Sequence, residues 1–347
     1  MRPFRRQKMQ MILLAAILVV LIAAVGLSPT VVPAVSPDSG VASDTEVSAS
    51  NPTGLPDVTE DEDAAAADEQ APARPGLPPL TVAPERPDAG LQREIASYVS
   101  TLDGTYGVVA YDFATGRTVR INDNQLFPSA SLYKLIVLYQ AYEAVENGDV
   151  RLDDEVPITR SNLQEDESSD LKLGDRPTVA EALDLMVTIS SNTAAHALLE
   201  VLGREEFNSA AVELGLGETR TPTDSIRPQL SGWRRYMAST SPRDLLRFFQ
   251  LLATRELIDR EASDEMLAIL FNQQVNDRIP AGLPVGTRIA HKTGELNGVR
   301  NDAGIVLTDR GAYVLAVLSQ NADEDEATVA AAEIARRVHA AYGEASD

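Results

Sequence analysis

Two sets of strand-forming runs stand far apart in this chain, and that separation constrains its fold more than any other feature. Residues 106–112 read as a strand, 112–116 as a turn and 117–122 as a return strand. The second set lies near the C-terminus, at 287–292, 303–307 and 312–319, divided by the turn signals Asn297-Gly298 and Asp309-Arg310-Gly311. Between the sets the pattern is mostly helical, with helices expected at 132–146 (ended by Gly148), 179–189, 192–202 and 242–254. The last begins on Pro242 with Ser241 as its cap candidate. Leu91, Ile95 and Tyr98/Val99 mark one face of a helix before the first strand, and 324–341 forms a closing helix rich in Ala, Val and Ile. The expected fold is therefore α+β: an antiparallel sheet flanked by terminal helices, with an all-helical lobe inserted between its halves and a cleft between the two parts.

The folded unit is expected to span 88–347. Residues 1–27 read as an address instead. Arg2, Arg5, Arg6 and Lys8 precede an apolar run from Met11 to about Leu27, long for a signal-peptide core and short for a spanning helix. It reads as either a signal anchor or a cleaved signal peptide, and both place the remainder outside the cytoplasmic membrane. Residues 28–87 are rich in Pro, Ser, Ala, Asp and Glu, with too few large apolar residues to offset chain entropy, and read as a disordered tether.

Composition narrows the chemistry. The 347 residues carry a formal net charge of -22, which argues against nucleic acid as a partner. The chain has no cysteine, so thiolate catalysis, disulfides, Cys-ligated zinc and a thioether lipid anchor are excluded. Only His196, His291 and His339 are present, and none is spaced as a metal pair. His196 and His339 fall within helical patterns, and His291 is a strand residue beside the Lys-Thr-Gly discussed next.

Three short motifs carry the functional argument. Ser131-Leu132-Tyr133-Lys134 opens a helix, where residues three apart are surface neighbours, so the Ser131 hydroxyl and the Lys134 amine can meet near the helix N-terminus. A desolvated lysine can lose its proton and act as a base toward such a hydroxyl. A second copy, Ser169-Asp170-Leu171-Lys172, lies in an acidic stretch without a following apolar helix and is set aside. Ser190-Ser191-Asn192 sits between two helical patterns, and Lys292-Thr293-Gly294 ends a strand before a turn. Each alone is weak.

Together and in this order, they resemble the Ser-x-x-Lys, Ser-Asp-Asn and Lys-Thr-Gly set of class A β-lactamases and penicillin-binding proteins. The run Gly298-Val299-Arg300-Asn301-Asp302-Ala303-Gly304 is similar to the segment that follows in that family, and the likeness covers about 91–342. The resemblance implies Ser131 as the nucleophile of an acyl-enzyme, Lys134 in its activation and Ser190 as proton relay to the leaving nitrogen. It implies Asn192 as a ligand of the substrate's amide side chain, and Lys292, Thr293 and Gly294 along its carboxylate side. The N–H groups of Ser131 and Glu295 form the implied oxyanion hole. No cofactor or metal is implied. The implied partner is a small β-lactam or a D-alanyl-D-alanine peptide, met by a monomeric extracytoplasmic protein.

Two departures bear on function. Ser191 stands where the pattern has Asp. Thr219-Arg220 and Thr240-Ser241-Pro242 resemble the two ends of the loop that carries the water-activating glutamate of class A enzymes, yet no Glu occurs between them. An ungapped match puts Ser225 at the glutamate position and Gln229 at that of its asparagine, with Asp224 adjacent as a substitute base and Glu218 just outside. The motifs thus imply acylation at Ser131 and leave three readings open: a β-lactamase, a D-alanyl-D-alanine peptidase, or a non-turnover binder.

Overall fold

The computed structural model describes residues 80–164 and 171–343. The N-terminal apolar segment, the tether up to residue 79 and Ser169 of the second Ser-x-x-Lys copy lie outside them. Among the described residues, no helix is long and apolar enough to cross a membrane.

Six strands form one sheet: β1 (Arg86–Pro87), β2 (Thr105–Asp112), β3 (Arg117–Ile121), β6 (Ile289–Leu296), β7 (Val299–Thr308) and β8 (Gly311–Gln320), in the order β1-β3-β2-β8-β7-β6. The two distant strand sets meet at the β2–β8 pair, in register from Thr105↔Gln320 to Asp112↔Tyr313. Every neighbour pair is antiparallel except the short β1, which pairs parallel with β3. The sheet is therefore mixed at one edge. Ahead of it, Leu80 donates its N–H to Ala253 O and Tyr111 its hydroxyl to Ala83 O, so the chain joins this unit before residue 88.

The helices are α1 (Ala89–Val99), α2 (Lys134–Asn147), α3 (Val179–Thr188), α4 (Asn192–Leu202), α5 (Glu206–Glu213), α6 (Pro242–Thr254), α7 (Arg260–Leu270) and α8 (Glu324–Tyr342). Period-two alternation explains how they share the sheet. Val108 and Ala110 of β2, with Tyr313, Leu315 and Val317 of β8, face Leu91 and Ile95 of α1 and Ile334 and Val338 of α8. The intervening Val109, Tyr111, Val314, Ala316 and Leu318 face the helical lobe. Both faces are covered, which is why 312–319 is apolar almost throughout. Caps fix the helix starts: Ser241 accepts from Asp244 N, as its place before Pro242 predicts, and Thr178 with Glu181 forms a capping box. Gly148 ends α2 in the left-handed region at φ 74°, where a side chain would be strained.

One boundary differs in a way that matters for the site. Lys292-Thr293-Gly294 lies inside β6, which continues to Leu296 and turns back into β7 through Asn297-Gly298. The two-residue turn closes the hairpin in register, so the motif keeps ladder partners (Lys292↔Ala303, Gly294↔Asn301).

Candidate active site

Ser131 lies in a tight 3-10 turn (Ala130–Tyr133) that leads into α2, rather than in α-helix. A three-residue repeat stacks side chains three apart, which sets Ser131 against Lys134 at the first position of α2. The residue before Ser131, Ala130, is held at φ 47°, an unfavourable backbone for alanine. The surroundings enforce it. Ser129 N donates to Ala238 O, and Asn301 Nδ2 donates to Pro128 O at 2.9 Å while its Oδ1 accepts from Ser319 N. The pair β4 (Phe127–Pro128) and β5 (Ser239–Thr240) ties the same segment to the later chain.

Lys134 is fully buried. Its Nζ donates to Ser190 O at 2.6 Å, Ser190 Oγ at 3.2 Å and Asn192 Oδ1 at 2.8 Å. Ser190 sits between α3 and α4 at φ 62°, a second strained position. This backbone presents both its carbonyl and its hydroxyl to the lysines. Lys292, also fully buried, reaches Ser190 Oγ from the other side at 3.0 Å and Thr293 O at 2.9 Å. Burial holds the Lys292 amine well below the usual lysine range, and the Lys134 charge pushes the same way, against Asp302. Ser191 caps α4 by accepting from Ala194 N at 3.2 Å, so a hydroxyl supports the turn where the family pattern has a carboxylate.

Gly294 is there for closeness. A Cβ at this position would lie 2.9 Å from Ser129 O and 3.0 Å from Ser131 N. Only glycine lets β6 pass so near the Ser131 turn. Gly294 faces that turn and Lys292 reaches Ser190 beside it, whereas His291 bonds Asp302 and Asn276. Thr293 is buried and the Glu295 side chain is exposed.

The structure therefore brings Ser190, Asn192, Lys134 and Lys292 into one hydrogen-bonded cluster, with Gly294 packed on the Ser131 turn. It does not bring Asp224 there. The ends of loop 219–240 do meet: Thr219 Oγ1 bonds Thr240 Oγ1 at 2.9 Å and Asp244 Oδ2 at 2.8 Å, and Arg220 and Ser239 exchange backbone hydrogen bonds. The Asp224 side chain, however, is 94% exposed and pairs with Arg227 at 3.5 Å. Ser225 donates to the Glu205 carboxylate, which it holds below the usual carboxylate range together with Thr223.

Two groups near the site escape sequence reading. Arg278 is buried beside β6, with Nη2 donating to Glu295 Oε2 at 2.6 Å. Asp302 is buried on β7, accepting from Ile279 N at 3.0 Å and bonding His291 Nδ1 at 2.9 Å. Asp302 lay within a recognised segment without a role, and nothing about an isolated arginine in the stretch before β6 marks Arg278. His291 is the strand residue beside the site that its position predicts, whereas His339, on α8, lies away from it and bonds Tyr313 of β8.

With this geometry in hand, comparison with known proteins is direct. The family model described as "Beta-lactamase enzyme family" matches residues 90–342. A β-lactamase of Streptomyces fradiae is 30% identical over 270 residues, spanning 73% of this chain and 87% of that protein. One of Streptomyces albus G is 29% identical over 251 residues, spanning 68% and 79%. Among solved structures, PBP-A superposes with a TM-score of 0.69 at 29% identity, covering 76% of this chain and 99% of its own. A mutant of PBP-A, similar at the same level, is an acyl-enzyme complex with penicillin G. An ancestral class A β-lactamase gives a TM-score of 0.66 at 26% identity over 73% of this chain and all of its own. The motif cluster, the sheet that carries it and these likenesses agree: the chain belongs to the β-lactamase enzyme family, as a penicillin-recognising serine hydrolase.

Proposed function

We propose that Ser131 attacks the amide carbonyl of a β-lactam, forms an acyl-enzyme and is released from it slowly. The observation that carries the acylation half is Ser190 Oγ, within 3.2 Å of Lys134 Nζ and 3.0 Å of Lys292 Nζ. A hydroxyl that accepts from both amines has its own hydrogen left to donate, and the leaving nitrogen is its natural recipient. Lys134, three residues from Ser131 and desolvated, serves as base in its neutral form, in which it donates to only two of its three acceptors and keeps a lone pair to take the Ser131 proton directly or through water. The N–H groups of Ser131 and Glu295 receive the developing oxyanion, with the close passage of β6 at Gly294 setting their spacing. Asn192 binds the substrate's amide side chain. Thr293 and Lys292 take its carboxylate, whose negative charge strengthens the hold of Lys292 on its proton.

The release half rests on loop 219–240, which has no glutamate and whose Asp224 faces solvent. That feature, with the likeness to PBP-A, supports a second reading of the same site as a D-alanyl-D-alanine peptidase. The basic residues before the apolar run at 11–27 support action outside the cytoplasmic membrane, with the N-terminal segment as anchor or cleaved signal.

The test mixes the full chain with a chromogenic cephalosporin and follows colour and intact mass together. The expected result is a burst of about one equivalent, a one-to-one adduct on Ser131 and a slow second phase. Ser131→Ala abolishes both signals, a loss on the order of 10³-fold or more. Fast sustained turnover would refute slow release, and the absence of adduct and turnover would refute the acyl-enzyme.

A further inference from the structure

Between Asp224 and Asp244 the chain carries Arg227, Arg234, Arg235 and Arg243 and no acidic residue, in a protein whose formal net charge is -22. The same stretch holds Trp233, the one tryptophan of the sequence. Within it lies the 3-10 turn Gly232–Arg235, with Gly232 at φ 58°. Tyr236 N donates to Trp233 O at 3.0 Å and Met237 N to the same oxygen at 3.2 Å, which closes the turn. Trp233 and Tyr236 are three apart, the spacing that brings side chains to one side of such a turn. Tyr236 is 80% exposed, Arg235 is exposed, and Trp233, Arg234 and Met237 are half-buried. Arg234 donates to Ser231 Oγ at 3.3 Å, and among the described residues neither Arg234 nor Arg235 has an ion-pair partner.

We propose that the turn 232–237 is a docking surface for an anionic lipid bilayer, with Trp233, Tyr236 and Met237 at headgroup level and Arg234 and Arg235 against the lipid phosphates. Tryptophan and tyrosine suit that interface because each has an apolar body and a polar tip. Unpaired arginines beside them are drawn to anionic headgroups within a screening length of about 8 Å at physiological salt. A soluble polyanion would meet the same arginines but leave Tyr236 and Met237 in water, so the apolar side chains favour the bilayer. The turn runs into Ala238, whose carbonyl accepts from Ser129 N at 2.9 Å, two residues before Ser131. Docking there therefore orients the Ser131 turn relative to the lipid surface as well as holding the protein on it. The proposal is independent of the acyl-enzyme reading and shares with the N-terminal anchor proposed above only the bilayer.

The test reconstitutes the full chain with vesicles of phosphatidylcholine alone and of phosphatidylcholine with phosphatidylglycerol, both brominated near the headgroup end of their acyl chains. Trp233 is the sole tryptophan, so its emission reports this turn and carries no signal from the N-terminal segment. With phosphatidylglycerol the emission should shift to the blue and be quenched about twofold, because interfacial side chains reach about 5–10 Å into the headgroup boundary. Both signals should vanish at about 0.5 M salt, where the screening length falls to about 4 Å. They should also vanish in the double variant Arg234→Glu, Arg235→Glu, provided that it melts at the wild-type temperature. Equal emission in the two vesicle types, or quenching kept by the double variant, overturns the proposal. So does a shift with soluble polyphosphate and no quenching by bromolipid, which would make the turn a polyanion site. Flotation with both vesicle types at equal emission leaves the anchor reading intact, whereas flotation with neither removes that reading and this one together.

Discussion

The strand wall of the site and loop 219–240 are built to different standards. Along β6, Lys292 is fully buried with two hydrogen bonds, Thr293 is buried, and Gly294 lets the backbone graze the Ser131 turn. Loop 219–240 is firmly closed at its neck but turns its acidic residue to solvent. Positioning reactive groups takes rigid elements with satisfied partners. By that measure the groups proposed to form the acyl-enzyme are held more firmly than the loop residue proposed to release it.

The sharpest way to break the contrast is Gly294→Ala. Its Cβ would meet backbone atoms at 2.9 and 3.0 Å, so β6 or the Ser131 turn must shift. Acylation is expected to fall on the order of 10²-fold, the usual effect of misplacing reacting groups by a fraction of an ångström to an ångström. An unchanged burst rate would mean the close approach is not needed.

Next comes the neck of the loop. Asp244 is buried, accepting from Thr219 Oγ1 and Glu218 N, both at 2.8 Å. Asp244→Ala strands both donors and should cost about 2 kcal/mol in chemical denaturation. A cost near zero would show that the neck is held by the backbone pairing of Arg220 and Ser239 alone.

A smaller effect sharpens the account of the strand wall. Lys292 in the folded chain holds its proton more weakly than at the ordinary 10.5 of the unfolded one. The unfolded chain therefore binds the extra proton between those two values. This contribution to stability is fully present above about 10.5 and is lost as the pH falls through the folded value. Lys292→Met should remove that rise with pH and stabilise the protein by about 1 kcal/mol near neutrality, while acylation suffers. Melting curves of both proteins across the alkaline range decide it, and parallel curves would contradict a buried, weakly protonated lysine.

The smallest effect belongs to Asp224→Asn. An exposed carboxylate paired only loosely with Arg227 should alter release of the adduct by less than about twofold, as for ordinary surface substitutions. A large slowing would restore Asp224 as the water-activating group and erase the contrast between the two walls.

Local periodicity and motif order were enough to read much of this molecule from its residues. Alternation marked β2, β3 and β8, the 3.6-residue pattern marked α4 and α6, and three motifs in order singled out Ser131, Lys134, Ser190, Asn192 and Lys292, of which the structure joins the last four by hydrogen bonds. Boundaries near the motifs were less legible. The 3-10 turn at Ala130–Tyr133 and the extension of β6 through Gly294 to Leu296 depend on partners distant in sequence, Asn301 above all. Left-handed backbone at Ala130 and Ser190 is likewise invisible in residue types that rarely adopt it.

What the sequence determined by itself was the inventory: a hydroxyl and two amines in family order, no thiol, and no glutamate in loop 219–240. Only the tertiary structure decided how those groups meet. It set one hydroxyl between two buried amines, turned Asp224 outward, and placed Arg278 against Glu295. The physical reason is range. Propensity and alternation act over a few residues, whereas desolvation and charge pairing depend on which chain segments, from anywhere in the sequence, exclude water from the same few ångströms.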